Sequence, residues 1–368
     1  MKKFLLFALP VFLFLTGTVF MLILPSFFAG RPDLAEQYSR NSFPVLTRLN
    51  LYIVSLFPFS VSEMCFFLLV IGIPVFLVFF IIRLCRKPQK ARFLRRTALV
   101  TSIISFILSF QFCLFMGLNY SRVPLLDSLF PERRERDLDE LIEVSMYFAK
   151  MTSAARVELN QPGVVMQLQT SDTEALKAGS TAMDAASTDF PVLSGNHVVP
   201  KIILASHLLS YTGTTGMYIP FFVEANVNID IPALDIPHTL CHEIAHARGI
   251  AREQDANLAG FLACIYSERI DYQYSGYQFA YRYIISDLYK ADKSAYSEVS
   301  AMISEDVWND WANSNEYWKS FEGPVQETAE KMNNTYLKAN RQKEGVLSYN
   351  LVTEMIIEYY FSYIKPSR

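Results

Sequence analysis

Residues 235–267 read DIPHTLCHEIAHARGIAREQDANLAGFLACIYS, and within them His242, Glu243 and His246 form an HExxH pattern. On a helix, positions four apart share a face, so both imidazoles can reach one ion while Glu243 stands beside the water that ion would activate. The chemistry this suggests is hydrolysis with one Zn2+, with His242 and His246 as metal ligands and Glu243 as the catalytic base. A catalytic zinc takes three protein ligands and leaves a fourth position for water, so a third ligand is needed.

Glu253 follows His246 by seven residues. If a second helix starts near Arg252, then Glu253, Asn257, Gly260 and Cys264 line one face. The small residues Ala256, Ala259, Gly260 and Ala263 then let it pack closely on the HExxH helix and bring the Glu253 carboxylate to the metal. Asn257, one turn on, can hydrogen-bond a ligand from behind. Asp255 stays open as a rival third ligand. His238 shares the face of His242, but three histidines along one straight helix cannot converge on a tetrahedral ion.

The HExxH helix itself is well specified. Asp235 can cap it, Pro237 suits its first turn, and Gly249 can supply the left-handed residue that ends it. Cys241, Ile244 and Ala245 surround the polar residues with apolar ones, so the imidazoles belong in the interior, where they need partners.

Other elements must position this segment. Leu138, Leu141, Ile142, Ser145, Met146 and Ala149 give a helical stripe after Asp137, and Ser171 with Glu174 fits a capping box that opens a second helix. Lys201 to Ala205 reads as a strand. Val223, Ala225, Val227 and Ile229 alternate with Glu224, Asn226, Asn228 and Asp230, the pattern of a half-exposed strand, and Pro220 and Pro232 suggest that it is an edge. Such an edge can pair with an extended peptide substrate, with Glu224 and Asn226 as candidate substrate-binding or ligand-supporting groups. Residues 267–368 look mainly helical, with breaks near Gly276, Asn313, Gly323, Asn340 and Gly345. Tyr281, Tyr336 and Tyr349 are candidate donors to a tetrahedral oxyanion, Tyr349 also as a substrate-binding residue; most of the 20 tyrosines must be packing.

The N-terminal part is of another kind. Three uncharged runs, 4–30, 64–82 and 97–121, each suffice to cross a hydrocarbon core of about 30 Å as a helix, which takes roughly 20 residues. The first is read as a crossing at about 4–28, because its apolar region exceeds that of a cleaved signal; the others are placed at 64–82 and 97–118. The linker between the second and third runs holds seven basic residues, Arg83 to Arg96, and no acidic one, so it belongs in the cytoplasm. The N-terminus is then cytoplasmic and everything after about Arg122 lies outside. Two domains follow: a membrane domain, 1–121, and an extracytoplasmic domain, 122–368. The second holds 21 basic and 33 acidic residues, a poor match to phosphate backbones, so nucleic acid is not an expected partner. Five cysteines without a CxxC pair make neither a disulfide framework nor a thiolate zinc knuckle, and Cys241 and Cys264 read as small buried thiols.

The metal segment resembles zincin peptidases of the gluzincin group, in which HExxH is followed by a helix carrying ExxA(D/N); Glu253 to Asn257 match that second motif, at a spacing shorter than in many gluzincins. Gly249 also makes HExxHxxG, as in metzincins, but Arg252 stands where those enzymes place a third histidine. Over nearly its whole length the chain resembles a bacterial family catalogued as domain of unknown function 3810. The likeness is carried by GLNYSRVP (117–124), GMYIPFFVEANVN (216–228), the metal segment and YLKANRQKEGVLSY (336–349). These resemblances imply an α+β fold: three N-terminal transmembrane helices, then a mostly helical zincin-like metallopeptidase domain with a small sheet. The family implies no known substrate; a peptide or protein substrate is the working expectation, and the basic linker places the chain in the bacterial inner membrane. A zinc-containing scaffold without turnover and a hydrolase of cell-wall amides are the alternatives.

Overall fold

The structure is a computed structural model that describes residues 2–85, 90–340, 342 and 350–367. The chain forms two compact units, Met1–Arg122 with Ile219–Glu224, and Val123–Tyr218 with Ala225–Arg368.

In the first unit, helices α1 (Lys2–Ala29), α2 (Pro32–Gln37), α3 (Phe43–Ser55), α4 (Val61–Cys85) and α5 (Lys90–Phe112) follow in order. Among the described residues three helical spans are long and apolar enough to cross a membrane, Leu9–Ala29, Val61–Cys85 and Lys90–Ser121; the second and third uncharged runs fall within their spans and the first overlaps its span. Gly17 lets α1 approach α5, since a Cβ there would sit 3.2 Å from the Phe106 Cα. Phe20 packs edge-on against Phe110 at 5.4 Å. Such small-residue contacts are what hold helices together where lipid removes the hydrophobic drive.

The second unit is mostly helical. It contains α6 (Leu125–Leu129), α7 (Leu138–Glu158), α8 (Asp172–Asp189), α9 (Ser206–Ser210), α10 (Ile236–Ala247), α11 (Glu253–Ile265), α12 (Ile270–Ala291), α13 (Lys293–Ser300), α14 (Glu305–Lys319), α15 (Pro324–Ala339) and α16 (Asn350–Tyr359). Three short strands, β1 (Lys201–Ile202), β2 (Gly216–Ile219) and β3 (Glu224–Val227), form a sheet in the order β1-β3-β2. β1 runs parallel to β3, pairing Lys201 with Asn226 and Ile202 with Val227. Only residues 220–223 join β2 to β3, far too few for a parallel crossover, so that pair is antiparallel.

Several expectations are overturned. The segment at 223–230 is not a half-exposed edge: β3 is the central strand and all four of its residues are buried. The alternation misleads because its polar members are buried with partners. Glu224 accepts from the Val61 and Ser62 backbone N–H groups at 3.0 and 2.8 Å and from the hydroxyls of Ser60 and Ser62, at the start of α4. The Asn226 amide donates to the Met217 carbonyl at 3.2 Å. Pro220 sits in a turn and Pro232 precedes a short 3-10 helix, both outside the strand. The strand expected over Lys201 to Ala205 keeps only two residues.

α7 begins where expected, with a complete Asp137–Glu140 capping box, but buries Val144, Phe148, Thr152 and Ala155 while Leu138 and Met146 are exposed. Ser171 precedes α8 without making a side-chain cap. Gly276 and Asn313 do not break helices. α12 runs through Gly276, where a Cβ would come within 2.7 Å of the Cys264 Cβ, so this glycine serves close approach to α11. Gly345 lies outside the described residues.

At the centre stands α10, flanked by α8, α11 and α12. Every residue of α10 except His242 is buried, as is every residue of α11 from Gln254 to Cys264. Gly260 allows this: a Cβ there would meet the His238 ring at 3.0 Å and its carbonyl at 3.2 Å. Cys241 and Cys264 are buried free thiols.

The surrounding helices are tied by a fully buried ion pair. Arg156 on α7 meets Asp310 on α14 at 2.6 Å, and Asp310 also accepts from the Tyr274 hydroxyl and the Met166 N–H, both at 2.7 Å. Removing one partner leaves an uncompensated buried charge, which costs about 3–5 kcal/mol. Arg156→Leu is therefore expected to lower the thermal unfolding midpoint of the purified full chain by roughly ten degrees. An unchanged midpoint would show that the pair carries no stability.

Candidate metal centre

The geometry starts from one backbone requirement. Gly249 follows α10 with φ of 87°, a conformation open to glycine at little cost. The helix closes there in a Schellman motif, with the Ile250 N–H on the Ala245 carbonyl and the Gly249 N–H on the His246 carbonyl, both at 3.0 Å. The turn carries the Ile250 carbonyl back over the helix end, where it lies 2.7 Å from His246 Nδ1. A carbonyl can only accept, so Nδ1 carries a proton and Nε2 is the nitrogen that faces Glu253. Three residues later α11 begins, and the chain has reversed within the short spacing between His246 and Glu253.

α11 supplies two groups to the same point. Asn257 Oδ1 lies 2.8 Å from His242 Nδ1, which fixes that ring as Ile250 fixes the other. The Glu253 carboxylate faces both free ring nitrogens, with Oε2 3.3 Å from His242 Nε2 and Oε1 3.7 Å from His246 Nε2. The imidazole planes stand at 89°, with centroids 4.6 Å apart. His242, His246 and Glu253 are the one group of three or more potential metal-ligating side chains found among the described residues, and their donor atoms lie within 4.8 Å of one another.

The 3.3 Å between His242 Nε2 and Glu253 Oε2 is the spacing of two donors on one zinc ion, and the other donor atoms lie farther apart, within 4.8 Å. Donors at about 2.0–2.1 Å from a tetrahedral metal lie roughly 3.3–3.4 Å from each other. Burial favours neutral Glu253, but the charges of His246 and His242 and their hydrogen bonds hold its pKa well below the ordinary carboxylate value. Burial likewise opposes a charge on His246, yet Glu253, Glu243 and the Ile250 carbonyl bring its pKa up to about 9. The carboxylate thus draws positive charge to this point, as a proton or as a metal that displaces it.

Glu243 stands beside the cluster and is 4% exposed. Burial raises its pKa, the imidazoles oppose that rise, and the Glu253 charge adds to it. Its Oε2 is buried with no hydrogen-bond partner among the described residues. An unmatched buried carboxylate oxygen is costly, and a water beside the metal would satisfy it. Glu243 also fits under β2 only because residue 216 is glycine: a Cβ there would lie 2.6 Å from Oε1 and 2.7 Å from Cγ.

The remaining candidates are placed elsewhere or unresolved. Asp255 is buried beneath α6, accepting from the Leu125 N–H at 3.2 Å with Arg252 at 3.9 Å, and is not in the ligand group. His238 is stacked on Phe279 at 3.6 Å with Nε2 3.2 Å from the Asn257 carbonyl; burial and the neighbouring His242 lower its pKa to about 3, so it is a neutral packing residue. Asp235 stands before α10 but makes no cap; Ser314 donates to its half-buried carboxyl at 3.3 Å, and Arg282 is 3.9 Å away. Glu224 is committed to the start of α4, and Asn226 to Met217. Tyr281 is a core residue stacked on Trp311, Tyr336 stands on an exposed face of α15, and Tyr349 lies outside the described residues. Reasoning from the sequence missed Gly216 and Tyr218, whose ring lies 6.2 Å from that of His246. A small residue two positions before an aromatic, ahead of a buried strand, was the available signal.

A family model described as "Protein of unknown function (DUF3810)" matches residues 38–357. No curated protein and no solved structure matches the chain.

Groups that orient a metal-bound imidazole typically contribute 10–100-fold to metal affinity. Asn257→Ala, which removes the partner of His242 Nδ1, is expected to weaken zinc retention by about that factor in competition with a chromogenic chelator. Unchanged retention would mean that Asn257 does not orient a ligand.

Proposed function

The chain belongs to the DUF3810 family, and we propose that it is a membrane-anchored, zincin-like metallopeptidase that hydrolyses peptide bonds with one zinc ion and a glutamate base. The observation that carries this reading is the convergence of two imidazole Nε2 atoms and one carboxylate on a point beside a second, unpartnered buried carboxylate. A structural zinc site closes all four positions with protein ligands, whereas three ligands with an adjacent base suit hydrolysis.

His242, His246 and Glu253 would hold the ion. When bound, zinc supplies Lewis-acid polarisation of a carbonyl and lowers the pKa of water toward about 7. Glu243 then takes a proton from the attacking water on its free oxygen and later delivers it to the departing amine nitrogen. Its buried position raises its proton affinity, which serves both transfers. Asn257 and the Ile250 carbonyl hold the two imidazole rings in orientation. The sheet edge at β2 supports an extended peptide as substrate, because its backbone passes against Glu243 at Gly216 and Met217 is exposed. The basic linker after α4 supports a cytoplasmic N-terminus and an outer catalytic unit in the inner membrane.

Two variants of the full chain test the reading. Glu243→Gln is expected to keep its zinc and lose hydrolysis by about 10²–10⁴-fold, the usual weight of a general base. Hydrolysis is followed with unfolded protein and peptidoglycan fragments offered side by side. Retained hydrolysis would contradict the role of Glu243, and cleavage confined to the fragments would reassign the substrate to a cell-wall amide. His246→Ala is expected to lose the ion, read by elemental analysis; full zinc occupancy there would remove the metal site.

A further inference from the structure

The first unit carries an apolar helix face that neither a membrane crossing nor the protein's own packing accounts for. α3 has 13 residues, about 20 Å of helix at 1.5 Å per residue, too short to span a core of about 30 Å. Its inner face is built by Phe43, Thr47 and Val54, which are buried, with Asn50 donating weakly to the Phe221 carbonyl at 3.5 Å. On the opposite face Val45, Leu49, Tyr52 and Leu56 recur at intervals of four, three and four, and all four are more than 60% exposed. Leu46 and Ile53 widen this stripe and are also exposed. Arg48 and Ser55 share one flank between the two faces and are exposed as well.

A surface helix normally buries its apolar stripe and exposes its polar one. α3 buries one face and exposes a second, apolar one, so something of hydrocarbon character must cover it. The chain connectivity says what. α1 ends at Ala29 and α4 begins at Val61, so α3 and its neighbours join two membrane-length helices on one side of the bilayer. The apolar surface continues from Leu56 through Phe57 and Phe59, both 39% exposed, into the lipid-length surface of α4, where Phe66 and Leu68 are more than 60% exposed. Tyr52 is of the type enriched where membrane meets water. α3 carries a single charge, Arg48, placed on the flank where it can reach lipid phosphates.

We infer that α3 is an interfacial helix: it lies in the plane of the membrane with Val45, Leu49, Tyr52 and Leu56 sunk into the acyl boundary of the lipid leaflet between the first two crossings. The occupant of this face is lipid, and the inference rests on α1 and α4 crossing the membrane, independently of any metal chemistry.

The experiment uses the full chain in vesicles of phosphatidylethanolamine and phosphatidylglycerol, with and without dibrominated acyl chains. Single tryptophans replace Leu49, Leu56 or Ser55, and the signal of Trp308, Trp311 and Trp318 is subtracted with the unsubstituted chain. Brominated lipid is expected to quench positions 49 and 56 at least about twofold more than position 55, and aqueous acrylamide the reverse. Acrylamide quenching without bromine quenching at 49 and 56 would overturn the inference. Protection from both would also overturn it, since a protein partner or a second copy would then cover the face. Because all three substitutions are at exposed positions, and as a check without any variant, a lipid bearing a photoactivatable carbene precursor is expected to label residues 45–56 of the unsubstituted chain. Absence of adducts there contradicts the lipid assignment.

Discussion

The second unit is organised around one half-buried negative charge. A carboxylate taken out of water needs opposite charge and hydrogen bonds, and Glu253 finds both in two imidazoles one helical turn apart. That meeting constrains the backbone on three sides. Gly249 ends α10 so that the chain reverses at once and turns the Ile250 carbonyl onto His246. Gly260 brings α11 onto α10, and Gly216 brings β2 down onto Glu243. At Gly260 and Gly216 a side chain would push apart elements that must nearly touch, and at Gly249 it is the positive φ that glycine supplies.

The same arrangement separates the two glutamates chemically. Glu253 faces both rings and stays ionised, whereas Glu243, one residue from His242 and under β2, keeps an oxygen without a partner and has its pKa pushed up by burial. One carboxylate suits holding a cation and the other suits holding a proton. Their environments, not their residue type, divide the work.

Much of the site is legible in the sequence because helix periodicity is a local property. The four-residue spacing of His242 and His246, the Gly249 stop and the small-residue face of α11 follow from rules that hold within a few turns. The contribution of β2 does not, because the contact of Gly216 with Glu243 depends on how a strand is placed by the whole fold. The strand at 223–230 shows the same limit: alternation records which residues are polar, and it cannot tell a solvent-facing Glu224 from one that caps the start of α4. Likewise Asp235 sits where a cap belongs, yet Ser314 of α14 and Gln278 of α12 hold its carboxyl. Tertiary partners outbid the local motif. The membrane-length runs were plain from composition alone, whereas the apolar outer face of α3 emerged once its inner face was seen to be occupied.

The most direct test of the account is X-ray absorption at the zinc edge on the full-length protein loaded with one equivalent of zinc. The account predicts a shell of two imidazoles and carboxylate or water oxygen at about 2.0–2.1 Å, with no sulfur. A sulfur shell at about 2.3 Å, or a shell of oxygen alone without the outer scattering of imidazole rings, would contradict it.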